Sequence, residues 1–486
     1  MQFEAVIGLE THVQLNTNSK MFSQSNSKYQ NSEPNTYVDP TSMGLPGALP
    51  VVNINAVESA IKIGLALDCG ISNVTKFDRK QYFYPDLMKG YQISQFDKPI
   101  CTEGFLTVSD SKKIRINRVH MEEDVAKLTH INNSDSNYSL LDINRSGTPL
   151  MEIVTEPDLS SSEEVIEYIE KLQQIIRYIG VGSANMEEGS FRCDANISIR
   201  EKGSNILGTK VEIKNMNRIS AVASAVNYEI KRQIKSIETK EKIIQETRGW
   251  SEEKSITIPQ RTKEESNDYR YFPEPDIPPI RIENKWIQKI KNQIPVLPEK
   301  RKKKYLNEYG LSTYDANLLC NEIHFSDFFE NTIYNLPEIY KNNETIKYVA
   351  NLMNGEFNRL LNMDSNMKIS DIKFTCEDLV DLVISYKENK INNKILKTVF
   401  EEMWITGNTS KKIIFNKNLA IISNSDELEE KINNIIKNNP KAVEDFRAGK
   451  EQSKKFLLGQ VMRETKGQAD PVISEEIIIK ILESKK

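Results

Sequence analysis

The chain has 486 residues, 38% of them apolar, and a formal net charge of −4 at pH 7. That length exceeds one typical core and predicts two or three domains, while the slight acidity excludes blanket attraction to polyanions and leaves any nucleic-acid contact to a local basic patch. Cys69, Cys101, Cys193, Cys320 and Cys376 are scattered, odd in number and form no CxxC pair, which argues against a disulfide framework or zinc finger and for a reducing compartment, the cytoplasm. The N-terminus lacks the basic and apolar regions of a signal peptide, and runs such as EEIIIKIL fall short of the ~20 residues that cross a bilayer.

In chain order, FEAVIGLETHVQL alternates as a half-buried strand and sends Glu10 and His12 to the same face. An isolated Glu-x-His is more often an ordinary exposed strand face than a ligand pair. The loop MGLPGALPVVN, around Gly44 and Gly47, reads as two tight turns. Tyr82, Phe83 and Tyr84 form an aromatic cluster of the kind usually found in a core. KIRINRV predicts a strand that runs into VHMEEDV, with His120, Glu122, Glu123 and Asp124. LLDINRSGTPLMEIVTEPD then strings acids, Arg145, Gly147, Pro149 and Glu152 through an apolar strand pattern. Together these segments offer oxygen ligands and imidazole for a hard divalent cation, and predict an acidic, phosphate-handling pocket.

Ser161 to Gly180 predicts a helix with Val165, Ile169, Leu172, Ile176 and Ile179 on one face, and Ser161 with Glu164 in a capping box. ANISIRE and KVEIKN are strand-like. Between them GSNILGTK nearly spells a P-loop, but it ends Thr-Lys where that motif needs Lys followed by Ser or Thr, so a hairpin connection is expected. A second helix is expected near Ser220 to Ile237. The fold class read from this pattern is α+β, with a mainly antiparallel sheet and no βαβ rhythm.

Prolines cluster from Pro273 to Pro298 and mark a domain boundary. The expected division is a domain over 1–295, an all-α domain over 296–407 and a small helical tail over 408–486, with a break at TGNTS near Gly407. The Asn, Lys and Ile richness of the later chain reads as a compositional bias. Arg301 to Lys304 make a basic cluster at a helix start, and the tail carries Lys450, Lys454, Lys455, Arg463 and Lys466 against Glu451 and Glu464. Such an excess suits a phosphate backbone, although a charged helix face is more often simply solvated.

GLETHVQL, KFDRKQYFYPDLMKGYQISQFD, HMEEDVAKL, LDINRSGTPLMEIVTEPD, MEEGSFRCDANISIR, TKVEIKNMN, DYRYFPEPDIPP and finally FLLGQVMRETKGQADP occur in that order. This ordered set resembles the B subunit of tRNA-dependent amidotransferases, the GatB/GatE family, over nearly the whole chain. The resemblance implies a cradle-shaped N-terminal domain, a helical linker domain and a tRNA-binding tail. It also implies ATP-dependent phosphorylation of the side-chain carboxylate of Glu-tRNA(Gln) or Asp-tRNA(Asn), with ammonia then displacing phosphate. It matches the metal site, for Mg²⁺, to Glu10, His12, Glu123 and Glu152, with Glu212 weaker, and makes Arg79, Lys80, Lys89, Arg145 and Arg192 candidate phosphate or carboxylate contacts. Lys80, Tyr82, Lys89 and Asp194 are implied near an ammonia passage.

Cys193 invites a nucleophile reading, but a lone strand cysteine is usually a small buried residue, and no Ser-His or Ser-Lys-Ser constellation is evident. Glutamine hydrolysis is therefore expected from a partner, which in the family is an amidase-like A subunit, with a small C subunit that braces the pair. Many family members carry a CPxC pair before the Gly44 loop, as half of a zinc site. Here Asp39, Pro40, Thr41 and Ser42 stand there, so no zinc is expected, and apolar packing or hydrogen bonds should hold the loop.

Overall fold

A computed structural model of the chain describes residues 3–132, 137–262, 269–364, 367–419, 425–447, 450, 452–465 and 468–484. Lys466 and Glu451 of the expected basic tail lie outside these residues. The chain divides into two compact units, Met1–Pro298 and Glu299–Lys486. The first is built on a mixed sheet with helices and the second is helical.

The first unit is organised by a nine-stranded sheet. Its strands are β1 (Phe3–Gln14), β2 (Gly70–Ile71), β3 (Cys101–Thr107), β4 (Lys113–Glu123), β5 (Pro149–Thr155), β6 (Phe191–Glu201), β7 (Val211–Lys214), β8 (Glu246–Ser251) and β9 (Ile256–Thr262). Their order is β9-β8-β7-β6-β1-β5-β4-β3-β2, and only the β7–β8 pairing is parallel. GSNILGTK is the connection between antiparallel β6 and β7, as its misplaced lysine predicts.

Strand alternation separates the two faces. Ile7, Leu9 and Val13 of β1, Val119 and Met121 of β4, Met151 and Ile153 of β5, and Ala195 and Ile197 of β6 all join one core. Helix Ile54–Ala66 joins that core through Val57, Ala60 and Ile61, and two longer helices pack on it, α1 (Ser162–Tyr178) and α2 (Ile219–Glu238). From α1 come Val165, Ile169, Leu172 and Ile176 at helical spacing, and from α2 Ala221, Val222, Ala225 and Val226. Ser161 caps α1 by accepting the Glu164 amide at 3.3 Å. The reciprocal bond is shifted by one residue: Glu164 accepts the Ser160 amide at 2.7 Å. Its carboxylate also pairs with Lys112 at 2.8 Å, which draws it away from Ser161.

A short three-stranded sheet stands against the end of β4. It pairs Asp78–Gln81 with Tyr91–Ser94 on one side and Phe272–Pro273 on the other. Near it the Gly44 loop is held by polar contacts. Asp39 accepts the Ser42 amide at 2.9 Å and the Ser42 hydroxyl at 2.7 Å, and Lys20, fully buried, donates to the Tyr37 carbonyl at 2.7 Å and lies 3.6 Å from Asp39. Gly44 and Gly47 both adopt left-handed φ, +67° and +87°, which is the reason glycine stands at these two turns.

In the second unit, helices over Ile323–Asn335, Asn343–Leu352, Cys376–Lys387 and Asn393–Thr406 surround an aromatic cluster that includes Phe325, Phe357, Phe374, Phe400 and Trp404. NETIKYVANLMNGEFNRLL reads as one helix, but its middle, Met353–Phe357, widens into a π-helical turn that carries Gly355. The Asn393–Thr406 helix stops at Gly407, whose φ of +71° supplies the left-handed cap. Helices Ser425–Asn438, Gln452–Glu464 and Pro471–Ser484 share a separate cluster around Leu428, Ile432, Leu457, Val461 and Ile478. Arg301 is not a surface cation: it is buried against Asp327 at 2.5 Å and Glu330 at 3.8 Å. Among the described residues no helix is long and apolar enough to cross a membrane.

The α1 interface is the seal behind the site-bearing strands. Leu172→Ala, at a fully buried position, should destabilise the protein by about 2–5 kcal/mol, read as a lower urea midpoint of the transition that follows sheet signal in circular dichroism.

Candidate active site

The sheet face opposite α1 and α2 carries the polar residues. In β1 this face holds Glu10 and His12. The register sets His12 beside Glu152 of β5 on one side and Arg192 of β6 on the other, and sets Glu152 beside His120 of β4. Glu10 stands beside Asp194, and Asn196 beside Glu212 of β7. One face of five adjacent strands therefore presents imidazoles, carboxylates and cations in rows. It lines a cavity of about 780 Å³, to which His12, Glu122, Arg192, Asp194, Lys80 and Lys214 contribute.

At one wall, ligand atoms of His12, Glu122 and Glu152 all lie within 4.8 Å of one another. His12 Nε2 is 3.4 Å from Glu152 Oε2 and 3.6 Å from Glu122 Oε1, and His120 Nε2 is 3.2 Å from Glu152 Oε2. Burial works against charge on His12, but Glu152 and Glu122 outweigh it and raise its pKa. Burial likewise opposes the Glu152 carboxylate, and His120 with His12 holds its pKa well below the ordinary range. Two carboxylates and an imidazole fit part of the shell of a hard divalent ion, with the remaining positions left to water or phosphate oxygens.

Glu123 does not join this cluster. It lies one residue past Glu122, so the alternation of β4 turns it to the other side, where it forms a buried ion pair with Lys89 and accepts the Ile93 amide at 3.0 Å. Glu122, which the sequence offers only as one of several oxygen ligands in VHMEEDV, stands in the cluster instead. Glu10 sits on the correct face but one row away, accepting from Asn196 Nδ2 at 2.8 Å. Glu212 is buried farther along that face, where it accepts the Thr247 hydroxyl at 2.7 Å.

The expected cations separate into two kinds. Arg79 makes a two-pronged pair with Glu274, at 2.6 and 2.9 Å, under the Tyr91 ring. It thereby ties the short sheet together. Arg145 donates to the Val125 and Ala126 carbonyls at 2.8 and 2.9 Å, and Arg192 donates to Asp124 at 2.7 Å. Gln14 also donates to Asp124, at 2.8 Å. Burial opposes the Asp124 carboxylate, yet Arg192 and Arg145 hold its pKa down. These arginines are cavity wall as well as candidate contacts. Lys80 instead projects among Tyr269 and Tyr82, with its ammonium 5.0 and 5.8 Å from their ring centres. Burial works against that charge, and Tyr271, Glu122 and Glu152 outweigh it and raise the pKa.

Tyr82 is not a core aromatic with its neighbours. Phe83 is 91% exposed and Tyr84 52%, while Tyr82 lines the cavity. Cys193 is buried on the core side of β6, and burial pushes its thiol pKa well above the ordinary value, the reverse of a nucleophile's environment. Of the tail cations, Lys450 pairs with Asp445 at 2.8 Å and Lys454 with Glu475 at 2.5 Å, whereas Lys455 and Arg463 are exposed on the Gln452–Glu464 helix.

The family described as the GatB/GatE catalytic domain matches residues 5–288, and the GatB domain matches residues 327–482. The chain is 49% identical to the B subunit of the aspartyl/glutamyl-tRNA(Asn/Gln) amidotransferase of Dehalococcoides mccartyi, over 99% of both chains. It is 47% identical to the proteins of the same name from Thermoanaerobacter pseudethanolicus, over 98% of this chain and 99% of that one, and from Thermodesulfovibrio yellowstonii, over 99% and 100%. The chain belongs to the GatB/GatE family. The matched catalytic domain, residues 5–288, spans the strands that carry the acidic face.

Two expected outcomes separate the adjacent glutamates and probe the Gly44 loop. Mn²⁺ binding followed by electron paramagnetic resonance should weaken by about tenfold or more in Glu122→Gln and stay near wild type in Glu123→Gln. Burial opposes the Asp39 carboxylate, but Ser42 and Lys20 hold its pKa below the ordinary value. Its contribution to stability is therefore complete above the unfolded carboxylate pKa of ~3.9 and is lost as pH falls through the lower folded value. Asp39→Asn should lower the melting temperature at pH 7 and flatten its decline at acid pH.

Proposed function

We propose that this chain is the B subunit of a tRNA-dependent amidotransferase. In this reading it phosphorylates the side-chain carboxylate of Glu-tRNA(Gln), and of Asp-tRNA(Asn) where that is formed, and gives Gln-tRNA(Gln) or Asn-tRNA(Asn). The observation that carries the reading is the cavity of about 780 Å³ whose lining brings His12 and Glu122 of the His12–Glu122–Glu152 cluster together with Lys80 and Lys214. The relatives are named as one subunit of a larger enzyme, which supports a multi-subunit assembly, and we assign ammonia supply to an amidase-like A subunit accompanied by a small C subunit.

The chemistry requires charge to be neutralised on both partners, because a carboxylate must attack the γ-phosphorus of ATP. A carboxylate oxygen forms the new P–O bond while the bond to the bridging oxygen of ADP breaks. Ammonia then attacks the acyl carbon, inorganic phosphate leaves with the C–O bonding pair, and the nitrogen loses a proton. His12, Glu122 and Glu152 would hold Mg²⁺, which when bound supplies positive charge to the phosphate oxygens. Glu10 and Glu212 extend the acidic face beside them. Lys80 faces the acidic cluster from the aromatic wall and is suited to orient the substrate carboxylate. Arg192, beside His12 in the register, and Arg145 shape the cavity wall through Asp124.

Ammonia's approach is assigned to the cavity lined by Lys80, Tyr82 and Asp194, with Lys89 held in its buried pair with Glu123 outside that lining. The three-part division at about residues 295 and 407 remains the proposed domain layout, with a cytoplasmic location. Contact with tRNA is assigned to the tail, through exposed Lys455 and Arg463 first, since Lys450 and Lys454 already have acidic partners.

The test is ATP-dependent amidation of Glu-tRNA(Gln), supplied with ammonium, by the chain assembled with its partner subunits. Wild type should form Gln-tRNA and ADP together. Glu152→Gln should lose about 100-fold or more of the rate while filter binding shows tRNA affinity retained. Full amidation by this variant would return the acidic cluster to a structural role.

A further inference from the structure

Lys214 is the last residue of β7 and falls in TKVEIKNMN, a motif that by itself gives this lysine no role. It stands across β6 from Glu10. The antiparallel register that sets Ala195 beside Ile213 sets Asp194 beside Lys214, and Asp194 also lies beside Glu10. Strand alternation therefore gives Lys214 the same face as His12 and Glu152, with two strand spacings of ~4.8 Å each between β7 and β1. Asn215 follows in the left-handed conformation, φ +65°, and the turn it makes carries Asn215, Met216 and Asn217 along the cavity wall. The strand thus ends with its ammonium at the cavity edge, with 31% of the side chain exposed.

Two acids fix that ammonium. Nζ donates to Asp194 Oδ2 at 2.6 Å and lies 3.6 Å from Glu212 Oε1. Burial works against its charge, and Asp194 and Glu212 outweigh it, so the pKa is raised and Lys214 remains a cation throughout the physiological range. An ammonium has three donors, and the Asp194 bond occupies one. The arginines that line the cavity are differently placed: Arg192 donates to Asp124 and Arg145 to two carbonyls of the wall. Lys80 stands in its aromatic setting, facing Glu122 and Glu152. Lys214 is the cavity-lining cation that pairs with Asp194, one row of the sheet away from His12 and Glu152.

We propose that Lys214 binds the phosphate chain of ATP one row of the sheet away from His12 and Glu152 of the metal-ligand cluster, so that the triphosphate lies along the sheet face between Lys214 and that cluster. The assignment rests on the amidotransferase reading, because it takes ATP as the phosphate donor. A lysine binds phosphate as a point charge, and its position is what matters. Here Asp194 and Glu212 set that position, which makes Asp194 a positioning residue for the same contact.

The experiment measures ATP affinity by equilibrium binding, and KM for ATP against KM for Glu-tRNA, in the full assembly carrying Lys214→Met, Lys214→Gln or Lys214→Arg. Removing one charge-assisted contact should weaken ATP binding roughly 10- to 100-fold, with KM for Glu-tRNA near wild type and with Lys214→Arg recovering much of the loss. Lys214→Gln keeps a donor for Asp194 and should show the same ATP defect, which protects the test against a folding failure of Lys214→Met. ATP affinity equal to wild type in folded Lys214→Gln would overturn the assignment. Equal loss for ATP and Glu-tRNA, with a lowered melting temperature, would also overturn it and leave Lys214 a structural ion pair. A wild-type assembly that neither binds ATP nor forms ADP would overturn the amidotransferase reading itself.

Discussion

The pairing of β1 between β5 and β6 is the constraint on which the site depends. Because side chains alternate along a strand, one register decides the face of every residue in three strands together. With His12 beside Glu152 and Arg192, the apolar members Ile7, Leu9, Val13, Met151, Ile153, Ala195 and Ile197 all turn toward the helices. A slip of one residue would put Glu10 and His12 into the apolar core and Leu9 into the cavity. Burying unpaired carboxylates in such a core is far more costly than any strand pairing can offset, so the apolar face enforces the geometry of the polar one.

A face so rich in acids has its own electrostatic problem, solved differently at different places. Asp124 is compensated by Arg192, Arg145 and Gln14, and Glu123 by Lys89, through direct contacts that rigidify the wall. Glu122 and Glu152 have imidazoles and the Ser94 hydroxyl nearby instead of a guanidinium. The groups with strong counter-ions hold the shell in shape, and those with weaker ones are left able to exchange their partners for a bound cation. The distinction between wall and site is thus one of what each carboxylate is paired with.

Much of this can be read in the sequence, and the failures have definite causes. The Glu10–His12 face, the α1 and α2 helices, the antiparallel sheet and the false P-loop follow from periodicity and turn chemistry, which are local. The choice between Glu122 and Glu123 is also local in principle: His120 and Glu122 share a parity, and the alternation of KIRINRVHMEE fixes it. Arg79 and Arg301 escape a sequence reading for a different reason. Their acidic partners, Glu274 at one site and Asp327 with Glu330 at the other, are distant along the chain, so only the fold shows that these cations are engaged. Phe83 and Tyr84 show the converse, being apolar by type yet exposed by position.

The Gly44 loop is connected to the site through Gly147. Lys20 and Ser42 crowd Gly147, where a Cβ would come within 2.6 Å of the Ser42 hydroxyl oxygen and 3.2 Å of the Lys20 side chain. The Gly147 carbonyl accepts the Met21 amide at 2.7 Å, and its amide donates to the Asp124 carbonyl at 2.9 Å. Through Gly147, the Lys20–Asp39–Ser42 contacts therefore reach Asp124 and the arginines it holds. A buried ion pair contributes little net stability compared with an apolar substitute, but breaking one partner leaves an uncompensated charge in the interior. That asymmetry suits a loop whose task is to keep one position, and it accounts for the full burial of Lys20 beside Asp39.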